Sequence, residues 1–137
     1  MPAYNEEANL PGMIADVAAI MQARFADFEI VVTNDGSKDR TGEVLAELAQ
    51  QYPQLKPVNH PVNQGYGAAV FTALSNASKD VIFFTDSDRQ FKLEEIDLLT
   101  PHLAEADMVV GYRAPRRDPP MRVLFGHGWS SLVTLPF

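Results

Sequence analysis

Short apolar runs alternate with longer amphipathic segments along most of this chain, and this alternation constrains the fold more than any other feature. The short runs are rich in β-branched and aromatic residues, as buried parallel strands are; they lie at residues 28–33, 56–60, 80–85 and 107–112. The longer segments carry apolar residues at helical spacing and lie at about residues 6–24, 41–52, 65–77 and 93–103. Strands that alternate with helices favour right-handed crossovers. We therefore predict an α/β fold in which helices flank a mostly parallel sheet.

The length of 137 residues fits one domain, and we predict a single domain over residues 1–137. The sequence MPAYNEE has the composition of a loop between a strand and a helix, yet only Met1 and Pro2 stand before it. We therefore expect the strand that should precede this loop to be missing or to lie outside the given sequence. The apolar segment that ends at Phe137 has no polar tail. Both observations predict that the chain is part of a longer protein.

The net charge of −7 and the absence of cysteine argue against several classes of protein. Binding to nucleic acid draws its affinity from clustered Lys and Arg, so we predict no nucleic-acid partner. Without cysteine the chain has neither a disulfide framework nor a thiolate metal site, which favours the cytoplasm. The charge is uneven, because the residues after Gly111 include one aspartate and the arginines Arg113, Arg116, Arg117 and Arg122. This basic cluster predicts a local anion site or a membrane-facing edge.

Acidic residues follow the third apolar run at the point where the predicted strand ends. In FFTDSDRQF, one residue separates Asp86 from Asp88, and Gln90 follows. Ligands of parallel α/β sheets bind beyond the carboxyl ends of the strands, where the loops that carry Asp35 and Arg113 are also expected. Carboxylate and amide oxygens suit Mg²⁺ or Mn²⁺, which complete their coordination with water and substrate phosphate. The pattern predicts a metal ion that holds a phosphorylated substrate.

The same residues have plainer explanations. An Asp-x-Asp pair is common by chance, and after a strand it more often caps a turn or solvates a loop. A calcium loop of the EF-hand type fits neither with Gly36 nor with Gly42 as its central glycine. The glycines of NQGYGAA have the wrong spacing for a dinucleotide fingerprint. The histidines His60, His102 and His127 are isolated in sequence, so we predict surface or packing roles for them.

Four motifs occur together in an order that is typical of one family. PAYNEEANL, VVTNDGSKDRT, NQGYGAAVFTAL and FFTDSDRQF resemble, in order and spacing, the motifs of family 2 glycosyltransferases. The branch similar to dolichol-phosphate mannose synthase, which acts on polyprenyl phosphates, shows the strongest likeness. The resemblance covers nearly all of the chain, and four motifs in register are far more specific than any one alone. It implies an A-type glycosyltransferase (GT-A) fold, a nucleotide-diphosphate-sugar donor, a divalent metal and inversion at the anomeric carbon.

The resemblance also implies roles for individual residues. In the family one loop borders the nucleotide, and the residues of this chain that resemble it are Pro2, Ala3, Tyr4 and Glu6. Asp35 resembles the carboxylate that contacts the base or ribose. The resemblance implies a metal site formed by Asp86, Asp88 and Gln90, in which the amide follows the two carboxylates. It also implies that Asp86 belongs to the donor site. The implied catalytic residues are Asp88 and Arg113, the latter near the donor diphosphate or the acceptor phosphate.

Two positions depart from the family pattern. Asn34 stands where the first Asp of an Asp-Asp-Gly-Ser motif is usual, which implies a looser nucleotide preference. His127 stands where an Arg is frequent, which bears on acceptor-phosphate binding. In this family any general base and much of the acceptor site lie downstream of residue 137, so the alternative to an active enzyme is a non-catalytic fragment that binds a nucleotide sugar or metal. A nucleotidyltransferase is disfavoured because no Gly-rich, Lys-bearing phosphate loop opens the chain.

The last part of the chain predicts an amphipathic helix over residues 119–137. Apolar residues fall near one face at three-and-four spacing; they are Met121, Leu124, Phe125, Trp129, Leu132 and Val133. This face is expected either to lie against a membrane or a further part of the protein, or to pack on the sheet of its own domain. The first alternative predicts a cytoplasmic protein that contacts the inner face of the cytoplasmic membrane, meets a lipid acceptor there, and self-associates as a fragment.

Overall fold

The computed structural model describes residues 1–87 and 92–111. In chain order the elements are β1 (Pro2–Ala3), α1 (Leu10–Arg24), β2 (Ile30–Asp35), α2 (Thr41–Gln51), β3 (Leu55–His60), α3 (Tyr66–Ser75) and α4 (Ile96–Leu99). Single 3-10 turns flank α4 at Leu93–Glu95 and Thr100–Ala104. The chain divides into two compact units, residues 1–97 and residues 98–137. The sheet belongs to the first unit, and the prediction of a single domain stays a prediction.

The described strands form one parallel sheet in which β2 lies between β1 and β3. Pro2 pairs with Thr33 at the β1 side, and the pairing with β3 runs as far as Asp35 opposite His60. Because the strands are parallel, their carboxyl ends meet at one edge of the sheet. The parallel sheet and its flanking helices confirm the predicted α/β architecture.

The first strand corrects the expectation that none precedes the first loop. Pro2 and Ala3 pair with β2, and the carbonyl of Met1 accepts a hydrogen bond from Thr33 N at 2.9 Å. Pro2 has no N–H to give to a ladder, and it is tolerated because β1 is an outer strand of the described sheet. So short a pairing leaves no periodic pattern in the sequence.

The central strand β2 presents alternate residues to two different layers. Ile30 and Val32 are buried in an apolar core that β1, α1, α2, β2 and β3 share. The buried members of this core are Ala3, Leu10, Ile14, Ala18, Ile30, Val32, Leu45, Leu48 and Leu55. Asp35 has the opposite parity, and through His60 it reaches Thr72 of α3. The helices α1 and α2 therefore cover one face of the sheet, and α3 lies on the other.

Two of the predicted strands are not strands in the described residues. Residues 80–87 and 107–111 have no strand assignment, and the side chains of Val81 and Ile82 are 61% and 50% exposed. A strand needs a neighbour that pairs with its N–H and C=O groups, and β-forming side chains alone do not supply one. The predicted helix at residues 93–103 is broken into α4 and two 3-10 turns. Pro101 has no N–H to donate to an i−4 carbonyl, which accounts for the break between α4 and the second turn.

No helix in residues 1–87 and 92–111 is both long and apolar enough to cross a bilayer. The predicted amphipathic helix over residues 119–137 lies outside these two ranges.

Candidate functional site

The loops that follow β1 and β2 are joined by hydrogen bonds between side chains and backbone. Asn5 lies in the left-handed region, with φ of 57°, and its side-chain Oδ1 accepts from Lys38 N at 2.9 Å. The backbone N of Asn5 donates to Ser37 Oγ at 3.0 Å. Glu6 N donates to Thr41 Oγ1 at 2.8 Å. These contacts hold the loop that carries the NEE sequence against the start of α2.

The turn after β2 requires a glycine. Gly36 has φ of +62°, and a Cβ there would lie 2.3 Å from the backbone of Val62 and of Asn63. Beside it, Asn34 Nδ2 donates to Asn59 Oδ1 at 2.9 Å, and Asn34 Oδ1 accepts from Ser37 N at 3.2 Å. The side chain of Asn34 is therefore occupied in shaping the turn, and the looser nucleotide preference implied by this position stays a prediction.

Asp35, the last residue of β2, is 2% exposed and organises the turn before α3. Its Oδ1 accepts from Gln64 N at 2.8 Å and from His60 Nδ1 at 2.7 Å, and its Oδ2 accepts from Gly65 N at 2.9 Å. Burial alone would raise the pKa of this carboxyl, but the hydrogen bonds from Gln64, His60 and Gly65 outweigh burial and keep the pKa below its usual value. Asp35 is thus an ionised group held within the protein.

His60 links the sheet to α3. Because its Nδ1 faces an ionised carboxylate, which can only accept, that nitrogen carries a proton and donates to Asp35. Its Nε2 lies 2.9 Å from Thr72 Oγ1. The prediction of a packing role for this histidine agrees with its burial between β2 and α3.

A pocket of about 460 Å³ lies at the carboxyl edge of the sheet. Its lining residues come from β1 and the loop after it, from the end of β2, from the turn before α3 and the first helical turn of α3, and from the segment after residue 84. They are Pro2, Ala3, Tyr4, Glu6, Asp35, Asn63, Gly65, Tyr66, Ala69, Asp86 and Ser87. The position agrees with the rule that parallel α/β sheets bind ligands beyond the carboxyl ends of their strands.

Asp86 enters this pocket from the segment that follows the third apolar run. Its Oδ1 accepts a hydrogen bond from the Tyr66 hydroxyl at 2.8 Å. The next residue, Ser87, is buried, and its hydroxyl donates to the carbonyl oxygen of Pro2 at 3.0 Å. Asp86 is therefore fixed through its own carboxylate to α3 and through its neighbour to β1.

The structure brings six of the residues predicted for the donor site together around one pocket. These are Pro2, Ala3, Tyr4, Glu6, Asp35 and Asp86. The remaining predicted site residues, Asp88, Gln90 and Arg113, lie outside the described residues. The role assigned to each residue stays a prediction.

The fit of a divalent metal can be judged in the described residues at Asp86. A carboxylate oxygen is the ligand that Mg²⁺ and Mn²⁺ take, and Asp86 offers one to the pocket while Tyr66 binds its Oδ1. In residues 1–87 and 92–111, no three His, Asp or Glu side chains lie close enough together to hold a metal ion. The described residues therefore fit a site in which Asp86 supplies one ligand and further ligands come from elsewhere.

Tyr66 and Ser87 are among the polar pocket residues to which sequence reasoning gave no role. The available signal for Tyr66 was its place at the start of the helix after β3, because that βα loop opens at the same edge as the acidic loops. Ser87 stands between the two aspartates of the Asp-x-Asp motif, and the motif was interpreted through its two carboxylates alone. Neither residue has a spacing that reveals its partner, since Tyr66 and Asp86 are joined only by the fold.

Comparison with known proteins decides the family. Residues 1–127 match the family model described as "Glycosyl transferase family 2". The chain belongs to this family. The match confirms the resemblance that the four motifs carry, and it extends over the β1, β2 and α3 loops that form the pocket.

The family 2 chain is similar to enzymes that are named after the polyprenols dolichol and bactoprenol. Dolichyl-phosphate beta-glucosyltransferase ALG5A of Trichomonas vaginalis is 31% identical, with 98% of this chain matched to 46% of that protein. Bactoprenol glucosyl transferase of Shigella phage SfV is 36% identical, with 85% of this chain matched to 38% of that protein. The chain thus spans less than half the length of these relatives.

A solved structure confirms the fold. The mannosyltransferase PcManGT from Pyrobaculum calidifontis, in complex with GDP-Man and Mn²⁺, superposes with a TM-score of 0.60 at 24% sequence identity. The superposition covers 69% of this chain and 28% of that one. The α/β architecture of the family 2 chain is therefore of the GT-A type.

Proposed function

We propose that this chain is the donor-binding part of an inverting glycosyltransferase that moves a sugar from a nucleotide-diphosphate sugar to a polyprenyl phosphate. The observation that carries the proposal is the pocket at the carboxyl edge of the sheet, where Asp86 and the loop after β1 meet in a family 2 chain. The polyprenyl phosphate is supported by the names of the relatives, because dolichol and bactoprenol are both polyprenols.

The pocket suits a nucleotide in size and in surface. Its volume of about 460 Å³ lies in the range of small-molecule sites. Tyr4 and Tyr66 offer aromatic surface on which a planar base can pack. The loop of Pro2 to Glu6 borders the nucleotide, and its hydrogen bonds to residues 37–41 keep it in place before the donor arrives.

The chemistry needs charge to be balanced on the leaving nucleoside diphosphate. Asp86, Asp88 and Gln90 would hold Mg²⁺ or Mn²⁺, which supplies that balance by Lewis-acid stabilisation when it is bound. Metal use is supported by the Mn²⁺ in the PcManGT complex. Arg113 would bind the donor diphosphate or the acceptor phosphate.

The acceptor attacks the anomeric carbon from the face opposite the leaving group, which inverts the configuration. A polyprenyl phosphate is already ionised and needs no general base, whereas a hydroxyl acceptor would need one. This difference separates the two acceptor classes in a pH profile. A lipid phosphate predicts a rate that depends little on a base in the enzyme.

Release of nucleoside diphosphate tests the function. The chain is incubated with Mn²⁺, a panel of nucleotide-diphosphate sugars and undecaprenyl phosphate, and both donor binding and diphosphate release are measured. Release that requires the lipid phosphate supports the enzyme. Donor binding without release would assign the chain to the alternative, a non-catalytic donor-binding part. Absence of donor binding contradicts the proposal, and pyrophosphate as the product would favour a nucleotidyltransferase.

The metal assignment has its own test in Asp88→Ala. We expect this variant to lose Mn²⁺-dependent binding of a nucleoside diphosphate, as measured by calorimetry, because it removes an anionic ligand from the cation. Glu47→Ala removes the same charge from an exposed position of α2 and serves as the control. Unchanged affinity in Asp88→Ala would remove this residue from the metal site.

The cytoplasmic location, the membrane contact and the self-association also belong to the proposal. Their support is the basic cluster that starts at Arg113 and the apolar spacing in residues 119–137. We expect the chain to float with anionic liposomes and less with zwitterionic ones, and Trp129→Ser to reduce flotation. Equal recovery of both proteins in the soluble fraction, with a monomer by light scattering, would contradict membrane contact and self-association.

A further inference from the structure

Tyr66 contacts the Asp86 carboxylate through its side chain. Its hydroxyl donates to Oδ1 at 2.8 Å. The side chain of Tyr66 is 61% exposed and lines the pocket, so little core packing depends on it. The contact therefore serves the arrangement of the pocket more than the stability of the fold.

The backbone of Tyr66 is held in position by hydrogen bonds at the start of α3, and this limits the positions that its hydroxyl can reach. Gly65, just before it, has φ of 94° and donates its N–H to the buried Asp35. Gln64 N donates to the same carboxylate, and α3 begins with the hydrogen bond from Ala69 N to Gly65 O at 3.1 Å. Tyr66 thus starts a helix whose first turn is tied to the end of β2.

Asp86 has less support from its own segment. On one side, Ser87 fixes the backbone through its hydrogen bond to Pro2. On the other side, Val81 is 61% exposed and Ile82 is 50% exposed. A carboxylate side chain can rotate about two bonds, and ordering it costs conformational entropy. A hydrogen-bond donor that already holds one carboxylate oxygen removes part of that entropic cost before a ligand binds.

Resting on the proposed function, we infer that Tyr66 is a positioning residue that orients Asp86 for the cation of a metal-bound nucleoside diphosphate. A phenol hydroxyl has a single proton to donate, so it holds Oδ1 and leaves Oδ2 for the cation. Partners of metal-binding carboxylates orient them in this way, and their loss typically weakens metal affinity by roughly 10- to 100-fold.

The test compares Tyr66→Phe with Tyr52→Phe, in which a tyrosine at the end of α2 loses its hydroxyl. Calorimetry measures the Kd for Mn²⁺ in the presence of a nucleoside diphosphate. We expect Tyr66→Phe to bind about tenfold more weakly than the wild type and Tyr52→Phe to bind equally well. Urea titration is expected to give the same midpoint for Tyr66→Phe as for the wild type.

Terbium luminescence supplies a readout that is independent of activity. Tb³⁺ is a hard cation that a nearby tyrosine sensitises, so terbium bound at Asp86 should be excited through Tyr66. We expect the sensitised signal to persist in Tyr52→Phe, to need about tenfold more Tb³⁺ in Tyr66→Phe, to be lost in Asp86→Asn, and to be displaced by Mn²⁺.

The outcomes separate this inference from the proposed function. If Asp86→Asn loses the cation while Tyr66→Phe keeps wild-type Kd, Tyr66 has no positioning role and the proposed function stands. A Tb³⁺ affinity in Tyr66→Phe equal to that of the wild type would show that the cation does not depend on the Tyr66 hydroxyl, and it also overturns the inference. If the wild type binds neither Mn²⁺ nor Tb³⁺ with the nucleotide, the metal assignment fails and the inference fails with it.

Discussion

The loop after β2 and the segment that carries Asp86 meet at the same pocket, yet they are held in different ways. The loop, residues 36–41, is joined to the loop after β1 by hydrogen bonds from Asn5 and Glu6. Its preceding residue, Asp35, is buried and accepts three hydrogen bonds. Every part of this region is supported by contacts with a neighbour in space.

The segment of residues 78–87 is anchored near its two ends. At the start, Glu29 accepts from the backbone N and hydroxyl of Ser78 and pairs with Lys56. At the end, Ser87 donates to Pro2. Between these anchors, Val81 is 61% exposed and no described strand pairing holds residues 80–87.

This difference indicates that one half of the pocket is part of the folded core and the other half is attached to it. Changes in the loop of residues 36–41 should therefore lower the free energy of unfolding. Changes in the Asp86 segment should cost less stability and act more on ligand binding. Four variants break or sharpen this comparison.

The largest effect is expected from Gly36→Ala. The left-handed conformation costs a non-glycine residue about 1–2 kcal/mol, and the added Cβ would overlap the backbone of Val62 and Asn63 at 2.3 Å. We expect the free energy of unfolding to fall by about 3 kcal/mol in urea titration. The matched control is Gly67→Ala in α3, where an added Cβ meets nothing within 4 Å and helix propensity predicts a gain of roughly 0.5–1 kcal/mol. Equal stability of the two variants would show that the turn can relax.

Thr41→Val should have the next largest effect. The Thr41 hydroxyl is fully buried, accepts from Glu6 N at 2.8 Å and donates to Asp39. Valine keeps the shape and leaves the N–H and the carboxylate without this partner, which costs about 2 kcal/mol. Thr41→Ser keeps the hydroxyl and loses one methyl group, at about 1 kcal/mol. If serine proves the more harmful in thermal or urea unfolding, packing and not hydrogen bonding joins the two loops.

Ser87→Ala tests the attached half of the pocket. The change leaves the Pro2 carbonyl without its 3.0 Å hydrogen bond, and we expect a loss of about 1 kcal/mol in stability together with weaker binding of Mn²⁺ and a nucleoside diphosphate. The exposed Ser75 at the end of α3 supplies the control variant Ser75→Ala, with an expected change below about 0.5 kcal/mol. A variant that loses stability but keeps nucleotide affinity would show that this anchor does not set the position of Asp86.

The smallest effect at neutral pH is expected from Glu29→Gln, and it is most visible in acid. The hydrogen bond from Lys56, with those from Ser78, lowers the pKa of Glu29 from its usual 4.5 to about 2. Because the folded-state pKa is depressed, the stabilisation is fully present above pH 4.5 and is lost as the pH falls through about 2. Solvent screens the half-exposed Lys56 and keeps the effect modest.

The pH dependence of urea unfolding measures this contribution between pH 5 and pH 2. The wild type should lose stability more steeply than Glu29→Gln in that window. Lys56→Met removes the other member of the ion pair and should flatten the curve in the same direction. Parallel curves for all three proteins would show that the start of the segment does not depend on this charge.

Much of the fold could be predicted because its signals are local. The helices α1 and α2 have apolar residues at three-and-four spacing, and β2 and β3 are short runs bounded by polar residues, so each pattern lies within one element. The strand β1 could not be predicted, since two residues show no period. Residues 80–85 have the composition of a strand, but pairing depends on a neighbour, and the described structure contains none for them.

The candidate site divides in the same way. Motif order predicted that the loop of Pro2 to Glu6, Asp35 and Asp86 would lie together, and the pocket contains all of them. Spacing could not show that Asp35 is occupied by His60 and the turn before α3, because register between two strands decides that contact. Nor could it show that Tyr66 binds Asp86.

The sequence by itself determined the alternation of strands and helices, the family, and the edge of the sheet at which the acidic residues gather. Each of these follows from residue types at short, regular spacing. The tertiary structure alone decided which carboxylate is buried as an internal acceptor, which one stands in the pocket, and which hydroxyl holds it. Those outcomes depend on distances of about 3 Å between residues 20 or more positions apart in the chain, and a hydrogen bond at that range exists only when packing brings its donor and acceptor together.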